Sequence, residues 1–165
     1  MIKKITFLFS VLLASCIQNS ESKNNYLDYS SKEDKLSGGV KIIQIQTPSG
    51  KFNVWTKRIG NNPTKKVLLL HGGPGFDHQY FQAADSYFPK ESIEYYYYDQ
   101  LGSNKSDNPK DESLWTIDRF VNEVEQVRQA LNLNKDNFIL LGHSWGGILG
   151  IEYALKYQNN LKALK

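Results

Sequence analysis

Apolar and polar positions along the chain fall into three patterns, and each predicts a different kind of element. Val40 to Thr47 alternates enough to predict a strand, Pro48-Ser49-Gly50 predicts a turn, and Lys51 to Arg58 predicts the hairpin partner. Gly60-Asn61-Asn62-Pro63 then breaks the chain. Val67 to Leu70 is a continuous apolar run, the pattern of a strand buried on both faces of a parallel sheet. Ile93 to Tyr98 and Asn137 to Leu141 read the same way. Between these two, Ile117, Phe120, Val121, Val124, Val127 and Leu131 recur at steps of three and four, which predicts a helix with Glu123, Glu125 and Arg128 off its apolar face. Thr116 is placed to cap it and Asp118 to complement its first turn. A helix-compatible stretch, Ile148 to Tyr157, follows the last strand. A hairpin followed by strand–helix–strand alternation predicts an α/β fold around a mostly parallel sheet, with no internal repeat and no second domain.

Composition narrows the class. With 165 residues, 40% hydrophobic and 22% charged, the chain has room for one globular domain. The formal charge of +3 includes Lys3 and Lys4, so the remainder is close to neutral and gives no case for nucleic acid as a partner. Cys16 is the single cysteine, which excludes an internal disulfide and a cysteine metal cluster, and nothing in the sequence calls for a metal or cofactor.

The surroundings of Cys16 carry more. Met1-Ile2-Lys3-Lys4 precedes an apolar run from Ile5 to Ala14, the layout of a secretory signal and shorter than the ~20 residues that span a bilayer. Leu13-Ala14-Ser15-Cys16 resembles the lipobox of bacterial lipoproteins. The resemblance implies cleavage before Cys16 and acylation of its thiol, which would hold the chain on a lipid membrane of the bacterial cell envelope, periplasmic or surface. A signal peptide, or a buried helix, with an incidental cysteine is the alternative. Ile17 to Gly39 is rich in Ser, Asn, Lys, Glu and Asp and has few apolar residues, so a flexible tether is expected, about 25 Å in root-mean-square reach. The expected organisation is a signal at 1–15, a tether at 16–39 and a folded domain at 40–165.

The chemistry concentrates at Gly142-His143-Ser144-Trp145-Gly146. The predicted strand runs directly into this segment and a helix leaves it, the context that makes a G-x-S-x-G match a nucleophile elbow. Such a turn exposes the Ser144 hydroxyl and folds strand against helix so tightly that side chains two positions either side would collide; Gly142 and Gly146 remove them. The helix start favours negative charge near the hydroxyl, and the Trp145 N–H is a candidate oxyanion donor. His71-Gly72-Gly73-Pro74-Gly75, directly after the first buried strand, sits where a Gly-rich loop supplies the second donor. Gly73 is the first choice and Gly72 the alternative; Pro74 fixes the loop's shape, and His71 and Gly75 complete it.

Three motifs together, His71 to Gly75, Tyr98-Asp99-Gln100-Leu101-Gly102-Ser103-Asn104-Lys105-Ser106-Asp107, and Gly142 to Gly147, resemble those of the proline iminopeptidases. The likeness runs from about Val67 to the C-terminus. It implies the N-terminal half of an α/β-hydrolase fold and a serine aminopeptidase that releases N-terminal proline, or another small N-terminal residue, from short peptides. Asn104 and His143 depart from the family's usual residues and leave substrate preference open. A carboxylesterase or lactonase on the same fold is the alternative enzyme, and a decayed, non-catalytic lipoprotein the alternative outside enzymes.

Asp99 precedes Ser144, whereas the fold's triad runs Ser, then Asp or Glu, then His, so Asp99 is expected to stabilise its own loop. His71 and His143 are committed by position to the loop and the elbow, and His78 is expected at the surface. The resemblance puts the triad acid, the base histidine and the substrate-gripping cap beyond Lys165, so the chain by itself is expected to be inactive. It also puts the Ser144 strand in mid-sheet, which predicts an exposed strand edge beside it.

Overall fold

The computed structural model of the protein describes residues 25–165. Two antiparallel strands, β1 (Val40–Thr47) and β2 (Gly50–Ile59), form the predicted hairpin. The Thr47 hydroxyl closes the turn by donating to the Gly50 carbonyl at 2.8 Å. Then follow β3 (Lys66–Leu70), β4 (Glu94–Asp99), α1 (Ile117–Ala130), β5 (Phe138–Gly142), α2 (Trp145–Tyr157) and the short β6 (Ala163–Leu164). The sheet order is β1-β2-β4-β3-β5-β6, antiparallel from β1 to β4 and parallel from β4 to β6.

The unbroken apolar runs are buried on both faces, as their pattern requires. Leu68, Leu70, Tyr96, Tyr98 and Leu140 pack under α1 and α2 with Phe120, Val124, Leu149 and Tyr153. Val67, Leu69, Tyr95 and Tyr97 face the other way, onto Trp55, Phe81 and Phe88. The four consecutive tyrosines of β4 are each anchored by a carboxylate: Tyr95 and Tyr97 share Asp85, Tyr96 binds Glu94 and Tyr98 binds Glu123.

Two expectations for α1 meet different outcomes. Thr116 caps it, its side chain accepting from Arg119 N–H. Glu123 and Glu125, read as off the apolar face, are buried. Glu123 is held inside because it accepts from Leu101 N–H at 2.9 Å and pairs with Tyr98 and the Arg119 guanidinium. Arg119 also donates to the Leu114 carbonyl at 2.7 Å and lies 3.7 Å over the Phe120 ring. Burial pulls this guanidinium down to about 10, and it stays cationic at neutral pH.

The far edge of β5, expected to be exposed, is paired instead. Ile139 and Leu140 stand opposite Ala163 and Leu164, and Gly142 N–H donates to the Lys165 carbonyl at 3.1 Å, so the sheet's edge here is β6.

The expected tether also differs where it is described. Residues 25–39 lie against the sheet: Tyr26 donates to the Ile93 carbonyl at 2.9 Å, the Tyr29 hydroxyl receives Gly60 N–H, and Asp34 accepts two hydrogen bonds from Arg58 at 2.7 and 3.1 Å. Two aromatic rings and a bidentate ion pair supply the ordering contacts that a low apolar content does not reveal. The expected signal and Cys16 lie outside the described residues.

Candidate active site

Parallel pairing sets Leu70 opposite Gly142, so the chain segments leaving β3 and β5 emerge side by side at the carboxyl edge of the sheet. That edge is where open α/β sheets place their ligands. His143 N–H donates to the Leu70 carbonyl at 3.1 Å and joins the two exits.

Ser144 follows at φ +55° and ψ −120°, a conformation that side chains other than glycine rarely adopt. It is exposed, and α2 begins at the next residue. The predicted need for glycine on both sides is met in the backbone. A Cβ on Gly142 would stand 2.1 Å from the Gly146 carbonyl oxygen, and a Cβ on Gly146 2.0 Å from that of Leu70. No side chain fits either position.

The loop His71 to Gly75 packs directly against this turn. A Cβ on Gly72 would lie 3.2 Å from Ser144 Cβ, and Gly73 has φ +118°. Among the described residues, neither Gly73 N–H nor Trp145 N–H has a hydrogen-bond acceptor, whereas Gly72 N–H donates to the Tyr80 hydroxyl at 2.8 Å. Pro74 and Gly75 form one wall of an apolar recess of about 400 Å³, and Leu101, Trp115, Phe120 and Trp145 form others.

Each histidine is accounted for. His71 is fully buried; its Nδ1 lies 2.9 Å from the Gly72 carbonyl and its Nε2 accepts Gln100 N–H at 3.0 Å. Both ring nitrogens are therefore engaged, with the proton on Nδ1. Burial holds the imidazole below its usual value of 6.5, which keeps it neutral. His78 is a correction: it is 4% exposed rather than at the surface. Its ring stacks on Trp55 with centroids 4.5 Å apart, and its Nδ1 lies 2.8 Å from Asp99 Oδ1. His143 contacts Tyr80, with Nδ1 3.3 Å from the hydroxyl. Asp99 also accepts from the backbone N–H groups of Lys105, within its own loop as expected, and of His78, so it ties that loop to the segment after the Gly-rich loop as well.

Gln100 was named only within the Tyr98 to Asp107 motif, with no role of its own, and Tyr80 not at all. Gln100 joins the pieces: its amide donates to the His71 carbonyl at 3.0 Å and accepts Trp145 Nε1–H at 3.1 Å. A buried polar residue one position past an apolar strand was the available signal for it. For Tyr80, in a run of polar and aromatic residues, there was none. No cluster of three or more metal-ligating side chains occurs among the described residues.

Residues 65–164, more than half of the chain, match the family model described as alpha/beta hydrolase fold. The chain belongs to the alpha/beta hydrolase family. Within that family it is 67% identical over 123 residues to a proline iminopeptidase of Chitinophaga pinensis, covering 74% of this chain and 41% of the relative. Identity to a proline iminopeptidase of Flavobacterium johnsoniae is 63% over the same shares. The crystal structure of a proline iminopeptidase from Mycobacterium smegmatis superposes with a TM-score of 0.64 at 28% identity, over 75% of this alpha/beta hydrolase chain and 42% of that one. The chain thus spans about two fifths of the length of the curated relatives it matches.

Proposed function

We propose that the chain is the nucleophile-bearing part of a serine aminopeptidase of the proline iminopeptidase type. The observation that carries the proposal is Ser144 at positive φ, between two glycines whose backbones leave no room for a side chain, in a chain 67% identical to a protein of that name. In this reading Ser144 Oγ attacks the first peptide carbonyl. A base takes the hydroxyl proton and passes it to the leaving amine as the C–N bond breaks, and water then hydrolyses the ester to free the N-terminal residue. The Gly73 and Trp145 N–H groups are suited to the developing oxyanion because they have no acceptor among the described residues.

None of the described histidines is offered to Ser144 as that base. The proposal therefore takes acid and base from the part of the relatives' length that this chain does not align with. The test joins the chain to that part of the Chitinophaga pinensis relative and measures release of 2-naphthylamine from prolyl 2-naphthylamide. Turnover that vanishes in Ser144→Ala is expected. Turnover of a p-nitrophenyl ester with none of the prolyl amide would favour an esterase instead.

Anchoring through Cys16 is a further part of the proposal and rests on Leu13-Ala14-Ser15-Cys16 alone. Cys16→Ser is expected to move the protein out of the membrane fraction, and unchanged retention would overturn it.

A further inference from the structure

The Gly-rich loop packs against the Ser144 turn at Gly72, and its first two peptide units are held differently. In the His71–Gly72 unit both ends are engaged: the carbonyl accepts from Gln100 Nε2 at 3.0 Å and the N–H donates to the Tyr80 hydroxyl at 2.8 Å. In the Gly72–Gly73 unit the carbonyl is bonded to His71 Nδ1 at 2.9 Å and to Phe76 N–H at 3.3 Å, while the Gly73 N–H has no acceptor among the described residues. A peptide unit is planar, so engaging its carbonyl also fixes where its N–H points. Tyr80 does more than fill one valence. Its hydroxyl lies 3.3 Å from His143 Nδ1, the two rings meet edge-on at 5.2 Å, and His143 immediately precedes Ser144. A hydroxyl can accept from one neighbour while donating to another. Tyr80 thereby links the Gly-rich loop to the Ser144 turn through one oxygen, from a segment that belongs to neither.

We propose that Tyr80 is a positioning residue of this site: its hydroxyl holds the Gly72 N–H away from the reacting oxygen and ties the loop to the turn, so that Gly73 is the loop amide presented to an oxyanion. The assignment builds on the serine-hydrolase reading, and it predicts which amide serves and why the alternative does not. It also explains why a tyrosine that is 40% exposed has its hydroxyl committed twice.

The test compares wild type, Tyr80→Phe and, as a control, Tyr87→Phe at an exposed tyrosine, each in the chain joined to the remaining length of the Chitinophaga pinensis relative so that acid and base are supplied. Amide hydrogen exchange at Gly72 and Gly73 is followed by NMR, together with Ser144 modification by an alkyl fluorophosphonate. Tyr80→Phe is expected to speed Gly72 exchange by about tenfold, as loss of one hydrogen bond implies. It should slow the bond-forming step at Ser144 by a similar factor, leaving the probe's half-saturation concentration and the thermal midpoint unchanged, and Tyr87→Phe should do neither. Gly72 exchange that does not respond to Tyr80→Phe would overturn the assignment, as would faster exchange with an unaltered modification rate where wild type is modified. A wild-type chain whose Ser144 does not react would count against the serine-hydrolase reading alone, and Gly72 exchange would then still decide whether Tyr80 holds the loop.

Discussion

A Cβ on Gly146 would stand 2.0 Å from the Leu70 carbonyl oxygen. The first turn of α2 is thus pressed against the end of β3, and the contact is backbone on backbone, which cannot rotate out of the way. Gly146→Ala is expected to destabilise the fold by about 1–3 kcal/mol, the usual range for overpacking, or more if α2 must shift. A lowered urea midpoint would show it, and a midpoint equal to wild type would mean that the turn is looser than described.

Glu123 gathers Tyr98, Leu101 N–H and Arg119 in the interior. Removing it strands a buried guanidinium, so Glu123→Ala should cost about 3–5 kcal/mol. Glu123→Gln, which keeps an acceptor for Leu101, should lose less. Chemical denaturation of the pair tests the ranking, and equal midpoints would contradict it.

His71 gives stability a pH dependence of known sign. Burial depresses its folded-state value below the 6.5 of an exposed imidazole. Below that pH the unfolded chain binds a proton that the folded chain refuses, so the unfolded state gains and stability falls as pH drops from 6.5 toward the folded value. The slope from this one group cannot exceed about 1.4 kcal/mol per pH unit. Urea unfolding at a series of pH values, with His71→Asn as comparison, should show a shallower slope in the variant. A ring titration of His71 by NMR centred above 6.5 would contradict the assignment.

The segment ahead of β1 depends on one ion pair. Asp34→Ala leaves Arg58, 5% exposed, with the Gly60 carbonyl and the Tyr29 ring as neighbours. A loss of about 1–3 kcal/mol is expected, in keeping with hydrogen bonds between charged groups. Faster protease cleavage between residues 25 and 39 should accompany it, and an unchanged cleavage rate would show that Tyr26 and Tyr29 suffice.

What could be read from the sequence divides along a physical line. Local signals survived folding: the runs at Val67 and Tyr95 became buried strands, the 3–4 spacing from Ile117 became α1, and Ser144 between two glycines became the turn after β5. Long-range polar pairing left no local trace. His78 meets Asp99 from 21 residues away, and its polar neighbours point to solvent until Trp55 is packed over it. Glu123 looks like a solvated helix position until Tyr98 and Leu101 N–H, more than 20 residues earlier, are seen to bond its carboxylate. Tyr26, Tyr29 and Asp34 each find a partner more than 20 residues onward, so a stretch too polar to order itself is ordered by the sheet. Tyr80 belongs to the same class, being functional only through two loops that the sheet brings together.

The tyrosine ladder of β4 has an optical consequence. Burial is the main cause that raises the Tyr95, Tyr96, Tyr97 and Tyr98 hydroxyls well above the usual phenol range, and it pushes Tyr26 beside them up to about 12. Four immobilised phenols in the middle of the sheet should contribute to the near-ultraviolet circular dichroism beside the tryptophans. In alkali they should stay dark at tyrosinate wavelengths until the sheet parts, then appear together. The chain thus carries its own reporter of sheet integrity, readable without any added dye.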